Sequence, residues 1–214
     1  MGVVVPCVTV STPEDYKASL ERIHTFAQRI HVDISDSTFA PVTLLGPDQV
    51  WWPQEWQVDI HVMASQPSQY LQQLIALKPH MITVHAEAKE DVLPLIQQIK
   101  QVGIRAGVAM MRATVPSDIA GLIETVDHVM IFSGELGKYG GTASLMQLEK
   151  IRLIKNINAG VEIGWDGGIS VENAFSLAQG GVDVFNVGGA IQKAADPQTA
   201  YSNLLKEVNK QGVM

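Results

Sequence analysis

The chain has 214 residues, 46% of them hydrophobic, a formal charge of −7 and one cysteine. That length and apolar content suit one large domain over residues 1–214 with a sizeable core, and a lone Cys7 excludes an internal disulfide. The acidic balance, with no basic run and no Arg/Lys stripe interleaved with aromatics, argues against nucleic acid or an anionic membrane as partner. No apolar run reaches membrane-span length and the first residues lack a leader pattern, so a cytoplasmic location is expected.

Short β-branched runs alternate with longer helical stretches from one end to the other, with no linker between them. Strands are expected near Val3–Val10, Ile30–Ser35, Gln57–Met63, Met81–His85, Ile104–Met110, His128–Ser133, Val161–Trp165 and Val182–Val187. Ser11-Thr12-Pro13-Glu14 has the spacing of a capping box, with proline at the first helical position; Pro67 and Pro116 open further helices. Ser170 reads as an N-cap, and its helix runs to Gln179 before Gly180-Gly181, where a left-handed C-cap is easiest for glycine. Eight βα units predict an α/β fold, a closed (β/α)8 TIM barrel with a parallel sheet; an open doubly wound sheet is the alternative. In a barrel the active site sits at the carboxyl ends of the strands, where His31, Asp33, His61, His85, Ser133 and Asp166 all fall.

In His31-Val32-Asp33 and in Asp59-Ile60-His61 the polar residues are two apart. A strand's period puts each pair on one face, with Val32, Ile60 and Val62 on the other. A buried histidine or aspartate must be hydrogen-bonded or metal-bound, so His31, Asp33, His61 and Asp166 form a candidate divalent-metal site flanked by carboxylates. His85 is either a partner behind that cluster or a packed residue. Met110, Met111 and Met130 read as gap-filling core, and Trp51-Trp52 with Trp56 as a packed loop or a subunit contact.

His31-Val32-Asp33-Ile34-Ser35-Asp36-Ser37-Thr38-Phe39-Ala40-Pro41 resembles the H-x-D-x-M-D-G-x-F-x-P signature of the ribulose-phosphate 3-epimerases. Asp59-Ile60-His61-Val62-Met63 is similar to that family's D-x-H-L-M, His85-Ala86-Glu87-Ala88 to its H-x-E-A, and Trp165-Asp166-Gly167-Gly168-Ile169 to its V-D-G-G-I. Ser133 to Thr142 resembles its S-V-E-P-G-F-G-G-Q loop with one extra residue, and Val187-Gly188-Gly189-Ala190 its A-G-S-A phosphate turn. Order and spacing agree along the chain.

The resemblance implies a ribulose-phosphate-binding barrel that inverts C3 of a ketose phosphate through an enediolate. Asp33 and Asp166 would serve as acid and base, and one divalent ion, Zn2+ or Fe2+ with Mn2+ or Co2+ as substitutes, would be held by His31, Asp33, His61 and Asp166. It implies substrate and phosphate contacts from Ser11, Met63, Gly140, Gly141, Gly167, Gly168, Gly188 and Gly189, a mobile loop between Gly134 and Gly141, a place in the pentose phosphate pathway, and a homo-oligomer.

Departures cluster near the same site. The family's P-S-x-L-S-A-D becomes Pro6-Cys7-Val8-Thr9-Val10-Ser11-Thr12, so its site serine aligns with Val10 unless Ser11 replaces it. Ser35 and Ser37 replace Met and Gly, Phe132 replaces a Met, Met111-Arg112 replaces Asn-Pro, and Leu136 and Lys138 alter the loop. These leave allulose 6-phosphate as a substrate alternative and a non-catalytic sugar-phosphate binder as a functional one. A decarboxylase of the D-x-K-x-x-D type is disfavoured because Asp59-Ile60-His61 carries no lysine.

Overall fold

A computed structural model describes residues 1–211. Eight strands, β1 Val3–Val8, β2 Arg29–Ser35, β3 Gln57–Met63, β4 Met81–His85, β5 Arg105–Met110, β6 His128–Phe132, β7 Glu162–Asp166 and β8 Val184–Val187, pair in sequence order, all parallel. β1 pairs with β8 and closes the barrel, as the eight runs predicted. The expected strands differ from these by one or two residues at several ends.

The helices α1 Pro13–Ile23, α2 Ser68–Leu77, α3 Leu93–Gln101, α4 Ala120–Thr125, α5 Glu149–Ile157, α6 Val171–Gln179, α7 Gly189–Gln192 and α8 Pro197–Val208 surround it. One expectation needs correction. The second βα unit has no helix: residues 36–56 cross from β2 to β3 irregularly, because Pro41, Gly46, Pro47 and Pro53 interrupt any helical run. A second correction is small. Thr12, not Ser11, caps α1, accepting from the Asp15 N–H at 3.1 Å with Pro13 at the first helical position. Ser170 caps α6 as expected, its N–H donating to Asn173 Oδ1 at 2.9 Å, and Gly181 beyond the helix takes the left-handed φ of 97°.

Strand alternation divides the side chains. Ile30, Val32, Ile34, Ile60, Val62, Ile82, Val84, Val129, Ile131, Ile163 and Trp165 face outward into one apolar layer beneath the helices. The inward residues are largely polar. At the amino end of the barrel Arg29 Nε meets Asp59 at 2.7 Å, Glu162 lies within 3.4 Å of Arg29 and 3.2 Å of Arg105, and His128 Nδ1 lies 2.8 Å from Glu162. Gly164 makes room for this plug, since a Cβ there would come within 2.3 Å of His128 Nε2. No helix of the described residues is long and apolar enough to cross a membrane.

Candidate active site

β2, β3 and β7 bring His31, Asp33, His61 and Asp166 together at the carboxyl end of the barrel, with one ligand-type atom of each lying within 4.8 Å of the others. Strand register makes the convergence. Asp33 stands opposite His61 across β2 and β3, and Phe132 stands opposite Asp166 across β6 and β7. His31 Nε2 lies 3.2 Å from Asp33 Oδ1 and 3.4 Å from Asp166 Oδ2, and His61 Nδ1 lies 2.8 Å from the same Asp33 oxygen. Both nitrogens of His31 are buried with no hydrogen-bond partner of acceptable geometry. A buried imidazole is expensive in that state, and a cation among the four groups would relieve it.

The far side of His61 sets its tautomer. His61 Nε2 lies 2.8 Å from His85 Nε2, and His85 Nδ1 lies 3.1 Å from the Glu87 carboxylate. Glu87 also accepts from the Met111 N–H at 2.8 Å and from the Thr114 hydroxyl; these donors and His85 outweigh burial and hold its carboxyl below the usual range. An ionised Glu87 can only accept, so His85 Nδ1 carries a hydrogen. In the neutral His85 ring Nε2 therefore accepts from His61 Nε2, and His61 turns an unprotonated Nδ1 toward Asp33. Burial first, then the neighbouring His85 and His31, pushes His61 down to about 4 against the pull of Asp33, so this ring is neutral near pH 7. A lone pair facing a carboxylate at 2.8 Å calls for positive charge between them. The donor set of two imidazoles and two carboxylates fits a divalent transition ion.

The two carboxylates are driven apart. Burial opposes ionisation of Asp33, but the adjacent His31 and His61 rings overcome it and hold the carboxyl well below the usual range. Asp166 has only His31 beside it. Burial, reinforced by the charge of Asp33 and opposed by His31, raises it to about 7.

Most residues implied by the sequence pattern border one cavity at this mouth: Asp33, Met63, Gly140, Asp166, Gly167, Gly168, Gly188 and Gly189 line it. Gly167 must be glycine, with φ at 103° and a Cβ that would fall 2.1 Å from Gly134 N. His31 and His61 lie beneath, buried. Two residues lie elsewhere. Gly141 is exposed and packs against Gly134, and Ser11 is exposed beyond the end of β1. Alternation along β1 turns Cys7 and Thr9 into the cavity and Val10 toward the apolar layer, so Thr9 supplies the first-strand hydroxyl, donating to Asp33 Oδ2 at 2.5 Å. Sequence reading missed Thr9, Tyr139 and Asn186. Tyr139 reaches the cavity from the loop after β6; Asn186, opposite Asp166 across β7 and β8, is buried with its Oδ1 unpartnered. The signal for Asn186 was its place inside an apolar strand, two residues before Gly188.

The model of the ribulose-phosphate 3 epimerase family matches residues 3–192. The chain belongs to that family. It is 33% identical to the ribulose-phosphate 3-epimerase of Helicobacter pylori over 186 residues, covering 83% of this chain and 85% of that one. It is 30% identical to that of Mycobacterium leprae, covering 83% of each. The fold is also shared more widely. The 3-hexulose-6-phosphate synthase of Salmonella typhimurium superposes with a TM-score of 0.72 at 18% identity, over 97% of this chain and 98% of that one. The orotidine 5'-phosphate decarboxylase of Pyrococcus horikoshii gives 0.69 at 15%, over 99% and 100%. As a member of the ribulose-phosphate 3-epimerase family the chain is an isomerase, and its Asp/His cluster is compatible with a metal ion.

Proposed function

We propose that the protein inverts C3 of a ketose phosphate, converting ribulose 5-phosphate to xylulose 5-phosphate, with Asp33 and Asp166 as the two proton carriers. The observation that carries this reading is geometric: Asp33 and Asp166 border one cavity and flank His31, whose Nε2 lies 3.2 Å from the first and 3.4 Å from the second, while burial raises Asp166 and its imidazole neighbours lower Asp33. Inversion next to a ketone needs one group to take the C3 proton on one face and another to give a proton on the opposite face. Asp33, lowered by its surroundings and held by the Thr9 hydroxyl, suits the acceptor; Asp166, raised to about 7, suits the donor, and the roles exchange for the reverse reaction.

His31, Asp33, His61 and Asp166 would hold one divalent ion, Zn2+ or Fe2+, with Mn2+ or Co2+ as substitutes. When bound, the ion supplies positive charge that stabilises the enediolate charge left when C3 loses its proton. Gly167, Gly168, Gly188 and Gly189 line the cavity, where their backbone N–H groups would suit the phosphate, and Met63 and Phe132 add apolar lining that would keep water from the reacting carbon. Allulose 6-phosphate stays as the substrate variant, because Thr9 and Asn186 add polar groups where the sugar would lie. In this reading the enzyme serves the pentose phosphate pathway, works in the cytoplasm and forms a homo-oligomer, which light scattering would check.

The test is a coupled assay for xylulose 5-phosphate on protein stripped of metal and then reloaded. Turnover that disappears on stripping and returns with Zn2+ or Fe2+ is the expected result; a reloaded protein that binds the sugar without converting it would make the protein a binder.

A further inference from the structure

Thr9 is held from two sides. Its backbone N–H donates to the Tyr139 hydroxyl at 2.9 Å, and its side-chain hydroxyl donates to Asp33 Oδ2 at 2.5 Å. The partners come from opposite sides of the barrel mouth: Asp33 from β2, and Tyr139 from the loop of residues 133–142 after β6. The Tyr139 ring bridges that gap. It rests on the β8 turn, where a Cβ on Gly188 would come within 2.4 Å of Cδ1, and Lys193 Nζ sits 5.8 Å from its centroid. Its hydroxyl points back at the Cys7 carbonyl, 3.4 Å away.

The two oxygens of Asp33 consequently have different surroundings. Oδ1 faces His61 and His31, and Oδ2 accepts from Thr9. The terminal torsion of an aspartate is soft, so without the Thr9 hydroxyl the carboxylate could turn and exchange its oxygens. We propose that Thr9 is a positioning residue that fixes the Asp33 carboxylate, and that the Tyr139 hydroxyl couples this to the loop over the mouth. With the loop in place, Tyr139 secures the Thr9 backbone and Thr9 secures Asp33. Without the Tyr139 hydroxyl, the Thr9 N–H loses its acceptor. The inference rests on the reading of Asp33 as a metal ligand and proton carrier, and it adds that the Tyr139 hydroxyl, acting through Thr9, completes that residue's orientation.

Four variants of the full chain test it: Thr9→Val, which keeps the shape and removes the hydroxyl, Thr9→Ser, which restores it, Tyr139→Phe, and Thr9→Val combined with Tyr139→Phe. Two quantities are read: the Zn2+ dissociation constant of metal-stripped protein by calorimetry, and kcat and KM after reloading. Thr9→Val is expected to weaken Zn2+ binding and lower kcat by about tenfold each, in the range of groups that orient a metal ligand, with KM little changed and Thr9→Ser close to the parent. Tyr139→Phe is expected to lower kcat by a smaller factor in the parent and to have no effect in the Thr9→Val background. Parent-like Zn2+ binding and kcat in Thr9→Val, or equal losses in Thr9→Ser, would overturn the role of Thr9. A Tyr139→Phe effect of the same size in both backgrounds would overturn the coupling. If Thr9→Val does not fold, as thermal melting would report, the single Tyr139→Phe variant decides, with unchanged kcat counting against the proposal. A parent protein that lacks turnover refutes the epimerase reading, while the Zn2+ comparison still decides the placement of Asp33 by Thr9.

Discussion

His61 Nε2 and His85 Nε2 lie 2.8 Å apart, and Glu87 behind His85 decides which ring donates. Because Glu87 only accepts, a neutral His85 presents an acceptor to His61, leaving His61 Nδ1 free toward Asp33. His85→Leu therefore strands a buried N–H and lets the His61 ring flip. Zn2+ affinity should fall by roughly 10–100-fold, with a smaller loss in the same direction for Glu87→Ala. Calorimetric titration of metal-stripped protein measures both, and unchanged affinity in His85→Leu would remove the tautomer argument.

Asp33→Asn and Asp166→Asn should each lower kcat by about 10²–10⁴-fold, the usual worth of a positioned proton carrier. The two should differ in metal binding. Asp33 Oδ1 touches both His31 and His61, whereas Asp166 contacts His31 alone, so Asp33→Asn is expected to weaken Zn2+ more. Full activity in either variant would contradict the two-carboxylate mechanism.

Gly167 carries the close approach between β7 and the loop after β6. Its φ of 103° is strained for any other residue, and a Cβ would fall 2.1 Å from Gly134 N. Gly167→Ala should cost about 1–3 kcal/mol in unfolding free energy and abolish competitive inhibition by inorganic phosphate. Denaturant melts and inhibition kinetics check the two parts. An alanine variant with parent-like stability and phosphate inhibition would show that this turn is not where phosphate binds.

Acid sensitivity should arise at the other end of the barrel. Burial opposes ionisation of Glu162, but His128, Arg29 and Arg105 overcome it and hold its carboxyl below the usual 4.5; Asp59 is likewise lowered, by His80, Arg29 and His128 against its own burial. For a carboxyl lowered on folding, the stabilisation is present above the unfolded value and is lost as pH falls through the folded one. The contribution of this cluster to Tm should thus be constant near neutrality and be lost below about pH 4.5, and the comparison with a Glu162 variant isolates it from the pH dependence of His61, Asp33 and Asp166. Glu162→Gln should have a lower Tm near pH 7 and a shallower acid slope, because the cluster has already lost that charge. Parallel slopes for the two proteins would count against this assignment.

The barrel and most of the His/Asp cluster were legible because both follow from strand periodicity, whereas Asp166 rested on its place after the seventh strand and on the family resemblance. His31 and Asp33, two apart, share a face, Asp59 and His61 do the same, and eight apolar runs in order leave a closed sheet as the natural arrangement. Thr9 and Tyr139 were not legible, since they meet across 130 positions and neither carries a local pattern. Ser11 drew attention as a hydroxyl near the family's serine, but strand geometry ends β1 at Val8, and the inward direction belongs to Cys7 and Thr9. The missing second helix follows from prolines and glycine that were plain in the sequence and were outweighed by the eightfold repeat. Trp51 shows a mixed outcome: it is 53% exposed, yet its ring meets Tyr16 edge-on at 6.2 Å and its carbonyl accepts from the Tyr16 hydroxyl at 2.8 Å.

The most direct measurement is hydrogen exchange at C3 of ribulose 5-phosphate in deuterated water, followed by nuclear magnetic resonance on metal-reloaded protein. Deuterium should enter C3 of the xylulose 5-phosphate formed, and this labelled product should be lost in both Asp33→Asn and Asp166→Asn. Sugar bound to the reloaded protein without any C3 exchange would contradict proton transfer by this site.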